Sequence, residues 1–364
     1  MTDPWSAARP AVTDPWSAAR ELVLRHGWNS VCYQVLNPGI SHWFASAGDA
    51  VVGYSTFART RVVVGAPVCA SERLEAVASE FEAASAAANQ RVVFFAAGAR
   101  LERLLGATHC LVSLGAQPVW DPQRWPDIVR HKASLRAQLL RARNKGVHVT
   151  RWTSTRARDS ESLRRVLREW LAGRGLPPLH FMTEPELLDH VEDRRVFVAE
   201  RDVGERMEVV GFLVAAPIPA RDGWLVEQWP RAHAAPNGTT HLLVDAAMRD
   251  LAAKGAGYVS LGLAPLSVHG SSTEHVPPPW MRWLLKWMRA HARRFYNFGG
   301  LEAFKAGLQP MAWEPAFAIA PGDRFTPSVL RAIAGVFAGG SPELLVARAV
   351  ANAAVREVRM LTMR

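Results

Sequence analysis

The order of strand-like and helix-like runs recurs along this chain, and that recurrence is the strongest constraint on its fold. Residues 21–120 read as a helix, β-rich runs that begin with VCYQVL at 31–36, a second helix and further strands. Residues 125–322 read as antiparallel strands, a loop, a helix at 240–254, a strand, a Trp-rich helix at 280–295 and a final strand. The sequence therefore predicts an α/β (α+β) fold of two similar modules in tandem, each with a mostly antiparallel sheet flanked by helices.

Four segments are predicted along the chain. Residues 1–20 contain the direct repeat TDPWSAAR and are expected to form a flexible tail outside the fold. The N-terminal module spans 21–124 and ends at the Pro-rich junction DPQRWPD, and the C-terminal catalytic module spans 125–322. Residues 323–364 are expected to form a tail of two short amphipathic helices.

Composition narrows the class of protein. Hydrophobic residues make up 49% and charged residues 21% of the chain, which is typical of a globular protein and excludes a disordered one. The three cysteines are far apart without a C-x-x-C spacing, which favours reduced thiols and argues against a disulfide scaffold or a zinc ribbon. The start of the chain lacks the basic and apolar regions of a signal peptide, and no run reaches about 18 predominantly apolar residues. We therefore expect a cytoplasmic protein without a transmembrane helix.

The net charge of +10 predicts attraction to a polyanion, either nucleic acid or an anionic membrane face. One basic helix, predicted at 127–146, has the charge density of a phosphate-backbone binder, and a solvated cationic face is the alternative. Its candidate tRNA-binding residues are Arg130, Arg136, Arg141, Arg143 and Lys145. The Trp-rich helix at 280–295 carries tryptophans beside a stripe of cations, a pattern typical of a helix at the surface of anionic lipid, although tryptophan also packs in cores. Its candidate lipid-binding residues are Trp283, Lys286, Trp287 and Arg293.

The stretch RAHAAPNGTTHLLVDAAM, residues 231–248, joins a strand to a helix through a Pro-Asn-Gly loop. Junctions of this kind bind anions through backbone N–H groups at the helix start. The loop has one glycine and one proline, whereas acetyl-CoA users cradle pyrophosphate with several glycines, so acetyl-CoA is disfavoured as the donor. The position of the loop after a central strand matches the acyl-donor loop of the N-acetyltransferase-like (GNAT) fold.

Six spaced segments in the second half of the chain carry a resemblance to one known family. They are EQWPR at 227–231, APNGTT at 235–240, LLVDAAM at 242–248, GYVSLGLAPLS at 257–267, FYNFGGLEAFK at 295–305 and PMAWEP at 310–315. Together they resemble the C-terminal catalytic domain of the phosphatidylglycerol lysyltransferases. The resemblance implies a tandem GNAT fold and transfer of an aminoacyl group from aminoacyl-tRNA to a hydroxyl of a lipid headgroup, with phosphatidylglycerol as the expected acceptor. Because the ester is already activated, the chemistry requires no metal and no cofactor beyond aminoacyl-tRNA as co-substrate.

This reaction needs donors for an oxyanion or phosphate and an acceptor for a proton. The predicted catalytic residues are those of the loop and helix start, with His241 as the candidate base and a capping or packing role as the alternative: Asn237, Gly238, Thr239 and His241. The predicted substrate-binding residues are Glu227, Arg231, Thr240, Ser267, Asn297 and Lys305. Glu227 and Arg231 either bind the α-amine and a phosphate or pair with each other. Lys305 either binds the acceptor phosphate or is a solvated surface charge.

Two positions depart from the family pattern. His241 stands where an acidic residue is usual, and Gly307 and Leu308 follow Phe304-Lys305 where a second Lys and Phe are usual. An acidic residue near the loop would recognise the α-amine of the donor, so His241 bears on aminoacyl specificity. Three alternatives stay open: a soluble family member that aminoacylates a peptide or metabolite, a non-catalytic tRNA- or lipid-binding protein, and an acetyl-CoA N-acetyltransferase. The oligomeric state is left open.

Overall fold

The structure, a computed structural model, describes residues 14–174, 179–204, 206–270, 280–282 and 298–344. Its helices are α1 Pro15–His26, α2 Leu74–Ala87, α3 Ala99–Leu105, α4 Trp125–His131, α5 Ala133–Arg143, α6 Ser154–Arg158, α7 Glu161–Ala172, α8 Thr239–Ala253, α9 Phe298–Gly307 and α10 Pro327–Ala338. Its strands are β1 Ser41–Phe44, β2 Val51–Phe57, β3 Thr60–Val64, β4 Arg91–Ala97, β5 His109–Trp120, β6 Val147–Trp152, β7 Arg195–Asp202, β8 Met207–Ile218, β9 Gly223–Gln228, β10 Tyr258–Ser260, β11 Ala264–Pro265 and β12 Ala312–Pro321. The fold is α/β with a mostly antiparallel sheet flanked by helices, as the sequence predicts.

One sheet runs through both halves in the order β1-β2-β3-β4-β12-β5-β10-β9-β8-β7-β6. In the first half, antiparallel strands lead to β3, which lies parallel to β4 after the crossover helix α2. In the second half, antiparallel strands lead to β9, which lies parallel to β10 after the crossover helix α8. The two halves therefore repeat the same topology, as the recurring sequence pattern predicts.

The last strand of each half lies beside the other half. β12 pairs with both β4 and β5, and β5 pairs with β10. The β5–β12 register runs from Ala312 opposite Val119 to Pro321 opposite His109, with an irregularity between Ala316 and Phe317. The predicted boundary at residues 124 and 125 divides the chain but does not divide this sheet, because continuous backbone pairing joins the halves.

Both predicted tails contribute to the fold. α1 begins at Pro15 with the Asp14 carboxylate accepting the N–H of Ser17, and Ala19 is fully buried, so the second copy of the repeat is not a flexible tail. In α10, the apolar face buries Val329 and Val336, and the helix contacts β2 and β3 of the N-terminal half. Residues 1–13 and 345–364 of the predicted tails lie outside the described residues.

Two local predictions are wrong. The run VCYQVL at 31–36 forms a short 3₁₀ helix, Cys32–Leu36, rather than a strand. The predicted basic helix at 127–146 is interrupted at Lys132, which has extended backbone with φ −98° and ψ 92°. The interruption allows α4 to bury Trp125 while α5 separately buries Leu135 and Leu139 in the core beneath α8.

Candidate functional site

A cavity of about 540 Å³ opens where β9 ends and α8 begins. The predicted donor loop supplies one side of this cavity with Arg231 and residues 237–241. Helix α5 supplies Gln138 and Arg141. Aromatic and aliphatic side chains close the remaining sides: Trp170 of α7, Trp229 after β9, and Leu301 and Phe304 of α9.

The loop lies directly on helix α5, and glycine is required at the contact. Gly238 has φ +94°, and a Cβ atom there would overlap the backbone oxygen of Gln138. Thr239 is buried, and its hydroxyl donates to the carbonyl of Pro236 at 2.7 Å. These two residues therefore shape the loop that presents the first turn of α8.

That first turn offers backbone donors to the cavity. Among the described residues, no acceptor bonds the N–H groups of Thr240 and His241, which belong to the orphan donors at a helix start. The positive end of the α8 dipole lies at the same point. Arg141 and Arg231 are exposed, and neither guanidinium meets a carboxylate in the described part of the chain. The charges and N–H donors of this lining are of the kind that bind anions.

His241 is the titratable base of the cavity lining. Its ring is half-buried and meets the ring of Phe304 edge-on, with centroids 5.2 Å apart. Phe304 in turn packs beside Trp229, with centroids 6.1 Å apart. Burial lowers the pKa of His241 below its ordinary value, so the imidazole is neutral and able to accept a proton near neutral pH.

Lys305 follows Phe304 but points away from solvent. It is only 2% exposed, and its Nζ donates to the carbonyls of Gly262 at 2.8 Å and Leu263 at 2.9 Å. The Nζ lies 5.9 Å from the centroid of the Trp229 ring, at the wall of the cavity. Burial lowers the pKa of Lys305 to about 7. The alternative of a solvated surface charge is wrong, and burial behind the cavity wall leaves Nζ poorly placed to bind a phosphate.

The carbonyls that bind Lys305 lie where two parallel strands separate. β9 and β10 pair only from Tyr258 opposite Gly223 to Ser260 opposite Leu225. Beyond that point β9 continues alongside β8, and the chain after β10 turns towards β5. Lys305 therefore occupies the opening between the parallel strands, next to the donor loop.

Glu227 does not line the cavity and does not pair with Arg231. Its carboxylate binds Arg194 through two contacts, 2.6 Å to Nε and 3.1 Å to Nη2, and accepts from the amide of Gln34. The side chains of Arg194 and Glu227 are 2% and 7% exposed, and Arg194 also donates to Asn37 at 3.1 Å. This buried network joins the second half to the first, because Gln34 and Asn37 precede β1.

Of the two other predicted binding residues, the structure describes only Ser267, which does not line the cavity. Ser267 is buried, and its hydroxyl donates to Glu302 at 2.7 Å while it accepts the N–H of His269. Asn297 lies outside the described residues, as do Trp283, Lys286, Trp287 and Arg293 of the predicted lipid patch.

The basic residues of α4 and α5 do not form one unpaired stripe. Arg130 pairs with Asp127 at 2.8 Å, and Arg143 pairs at 3.2 Å with the buried Asp245. Arg136 donates to the backbone carbonyls of Val129 and Arg130. Lys145 is exposed, and of the five predicted residues Arg141 alone is among those lining the described cavity.

The sequence did not identify Gln138, Trp170 and Leu301 as cavity residues. Gln138 and Trp170 lie on helices more than sixty residues before the loop, and packing alone brings them to it. Trp229 and Phe304 lie inside the EQWPR and FYNFGGLEAFK segments, and their place in these segments is the sequence signal that could have identified them as candidate cavity residues.

A helix start with unbonded N–H groups lies beside the opening of a parallel strand pair on a fold of two GNAT-like halves, an arrangement consistent with an acyltransferase. The family model described as phosphatidylglycerol lysyltransferase, C-terminal, matches residues 20–320. The chain therefore belongs to the phosphatidylglycerol lysyltransferase C-terminal family.

Solved structures share the fold. The C-terminal domain of a putative lysylphosphatidylglycerol synthetase from Agrobacterium fabrum is 22% identical with a TM-score of 0.71, over 85% of this chain and 92% of that one. L-PGS from Bacillus licheniformis is 19% identical with a TM-score of 0.71, over 87% and 93%. A conserved protein of unknown function from Bacteroides thetaiotaomicron is 12% identical with a TM-score of 0.59, over 84% and 97%. Comparison with curated protein sequences gives no match.

Proposed function

We propose that this protein transfers an aminoacyl group from aminoacyl-tRNA to a hydroxyl of a lipid headgroup, with phosphatidylglycerol as the acceptor. The observation that carries the proposal is the cavity at the loop before α8, which combines two guanidiniums that meet no carboxylate among the described residues with the N-terminus of α8 and aromatic walls. Membership of the phosphatidylglycerol lysyltransferase family supports the same reaction class.

The cavity suits the 3′ end of a tRNA. Arg141, Arg231 and the free N–H groups of α8 bind phosphate oxygens through charge-assisted hydrogen bonds. The indole of Trp170 provides a stacking surface for an unpaired base, a common mode of single-strand recognition.

The remaining groups carry the chemistry. The acceptor hydroxyl attacks the ester carbonyl and gives its proton to the neutral imidazole of His241. The N–H groups of Thr240 and His241 hold a donor phosphate, so the oxyanion is stabilised by the protonated form of Lys305 behind Trp229. When the intermediate collapses, the ester C–O bond breaks and the ribose oxygen takes the proton back from His241.

The acceptor implies a protein that works at the inner face of the plasma membrane. None of the helices among the described residues is long and apolar enough to cross a bilayer, so the contact we propose is peripheral. Trp280 is 38% exposed whereas its neighbour Met281 is buried in the core, which supports an outward-facing apolar side at the start of the Trp-rich segment.

The test is an incubation of the full chain with a set of radiolabelled aminoacyl-tRNAs and phosphatidylglycerol vesicles. We expect label in the organic phase, reduced several-fold in the Arg231→Gln variant at aminoacyl-tRNA concentrations below KM and unchanged in the Arg130→Gln control. Label in small aqueous products would indicate that the acceptor is a dissolved molecule and not the lipid. Binding of tRNA without consumption of the ester would contradict catalysis. Release of the thiol from acetyl-CoA would indicate that acetyl-CoA, and not aminoacyl-tRNA, is the donor.

A further inference from the structure

The cavity that holds the donor also surrounds the side chain of the transferred amino acid. This inference rests on the proposed function, because the reacting ester has to reach His241, the proton acceptor of the lining. The side chains nearest His241 in this arrangement are Phe304, which meets its ring, and Trp229, which packs on Phe304. Leu301 lies one turn earlier on the same helix as Phe304 and lines the same cavity. The aminoacyl side chain therefore contacts hydrocarbon and aromatic surface.

The electrostatic field at this point is positive. Arg141, Arg231 and the start of α8 lie on one side, and the buried amine of Lys305 lies behind Trp229 on another. The described lining residues include no aspartate or glutamate. The described carboxylates beside the lining residues are bound by other groups, Glu169 by Arg165 and Glu302 by the hydroxyl of Ser267. In the adjoining elements, Glu227 is bound by Arg194, and Asp245 by Arg143, Arg249 and the indole of Trp125.

A positive cavity discriminates between amino acids by charge. A lysyl or arginyl group brings a second cation in addition to its α-ammonium, and it meets like charges at short range with no carboxylate among the described lining residues. At about 5 Å, one unscreened like-charge contact in a partly buried site lowers relative affinity about a hundredfold. An acidic side chain would have to compete with the donor phosphates for the two guanidiniums.

We infer that the donor cavity of this protein selects an uncharged aminoacyl group with a hydrocarbon side chain and discriminates against lysyl and arginyl groups. The substrate class therefore differs from the lysyl group in the description of the family. Selectivity of this kind arises from apolar walls that bury the side chain and from a field that excludes a second positive charge.

Binding of stable donor analogues tests the inference separately from catalysis. The probes are CCA trinucleotides that carry leucine, lysine or glutamate through a 3′-amide bond, titrated into the full chain at low and at high salt. We expect the leucyl probe to bind at least about tenfold tighter than the lysyl probe, with a ratio that shrinks as salt screens the charges. Equal or tighter binding of the lysyl probe, preference for the glutamyl probe, or no binding of any probe overturns the inference. Leucyl selectivity without transfer of label to vesicles supports the inference and contradicts only the proposed lipid acceptor.

A charge-insertion variant gives the second test. Gln138→Glu is isosteric, lines the cavity and replaces the amide that Arg141 contacts at 3.4 Å. The added carboxylate is expected to raise the lysyl-to-leucyl binding ratio about tenfold. Leu301→Glu repeats the test at a second lining position, with the neutral Leu301→Gln as its control. The second position keeps the test valid if one of the variants fails to fold. An unchanged ratio in both folded carboxylate variants contradicts the inference.

Discussion

The two halves of this protein share a topology, but their parallel strand pairs end differently. In the first half, β3 and β4 pair over five positions, from Thr60 opposite Arg91 to Val64 opposite Phe95, and the N–H of Gly65 extends the pairing to the carbonyl of Phe95 at 2.7 Å. In the second half, β9 and β10 pair over three positions and then separate.

A different side chain lies at the end of each pair. In the first half, the amide of Asn29 donates to the carbonyl of Ala96 at 3.1 Å and lies against Gly65. In the second half, Lys305 donates to the carbonyls of Gly262 and Leu263. A neutral amide closes the first pair, whereas a buried amine occupies the second opening beside a cavity. The same strand order therefore ends in two different ways, and the proposed reaction site is the one where the strands separate.

The largest effect is expected from removal of the buried amine. Lys305→Met keeps the length of the side chain but removes the charge and both hydrogen bonds, so we expect a loss of at least about a hundredfold in kcat for aminoacyl transfer. The matched change in the first half, Asn29→Ala, is expected to leave kcat within about threefold. Steady-state transfer rates compare the two variants. An equal loss of kcat in both would show that the second strand opening is no more important for transfer than the first.

Lys305 also has a signature in the pH dependence of stability. Burial lowers its pKa from 10.5 to about 7, so between these values the unfolded chain binds a proton that the folded chain does not. Stability therefore rises with pH across that window, relative to Lys305→Met. Urea denaturation at pH 7 and pH 10 measures the difference, and a wild-type advantage that falls with rising pH would contradict the burial of the amine.

His241 is expected to have the next largest effect. Its pKa lies below the ordinary histidine value, so the wild-type rate is expected to rise with pH on the acid side and to level off before neutrality. His241→Gln is expected to lower kcat about tenfold to a hundredfold and to flatten that rise. A pH–rate profile under single-turnover conditions provides the measurement, and an unaltered acid limb in the variant would assign the proton acceptor elsewhere.

The contact between the loop and α5 gives a smaller effect. Gly238→Ala combines a positive φ with an overlap on the Gln138 backbone, so the loop must shift and we expect kcat/KM to fall about tenfold, with a loss of about 1–3 kcal/mol of stability. Gly255→Ala, at the other end of α8, has φ +82° but open space around its Cβ. Gly255→Ala therefore measures the effect of backbone strain without a steric overlap. Similar losses of kcat/KM in both variants would show that the close packing of the loop on α5 is unimportant.

The smallest effects are expected at the arginines. Arg141→Gln and Arg231→Gln each remove one cation from the cavity, so each is expected to raise the KM for aminoacyl-tRNA several-fold and to reduce the salt dependence of binding by about one counterion. Arg130→Gln, which removes a cation already paired with Asp127, is the control. Equal changes in all three variants would assign binding to net charge rather than to the cavity.

Prediction from sequence succeeded where the signal was local. The loop before α8 and α8 itself follow from Pro-Asn-Gly-Thr-Thr and the periodicity after it, and the repeated strand–helix order predicts the two halves. Lys305 could not be placed in this way, because its partners Gly262 and Leu263 lie more than forty residues earlier. The same limit applies to Glu227, whose partner Arg194 had no motif around it.

Long-range strand pairing also explains why the predicted boundary at residues 124 and 125 does not divide the sheet. β12 pairs with β4 and β5, contacts across about two hundred residues that no local pattern encodes. The break of the basic helix at Lys132 also reflects tertiary packing, since α4 buries Trp125 and α5 buries Leu135 in one core although the helical periodicity of the sequence is continuous.

A crystal structure of the full chain with a CCA trinucleotide carrying an amide-linked leucyl group would locate the donor directly. We expect a phosphate at the N–H groups of Thr240 and His241, between Arg141 and Arg231, with the aminoacyl carbonyl directed to the opening beside Lys305. A probe bound at the closed strand pair of the first half, beside Gly65 and Asn29, would contradict the assignment of the second opening as the donor site.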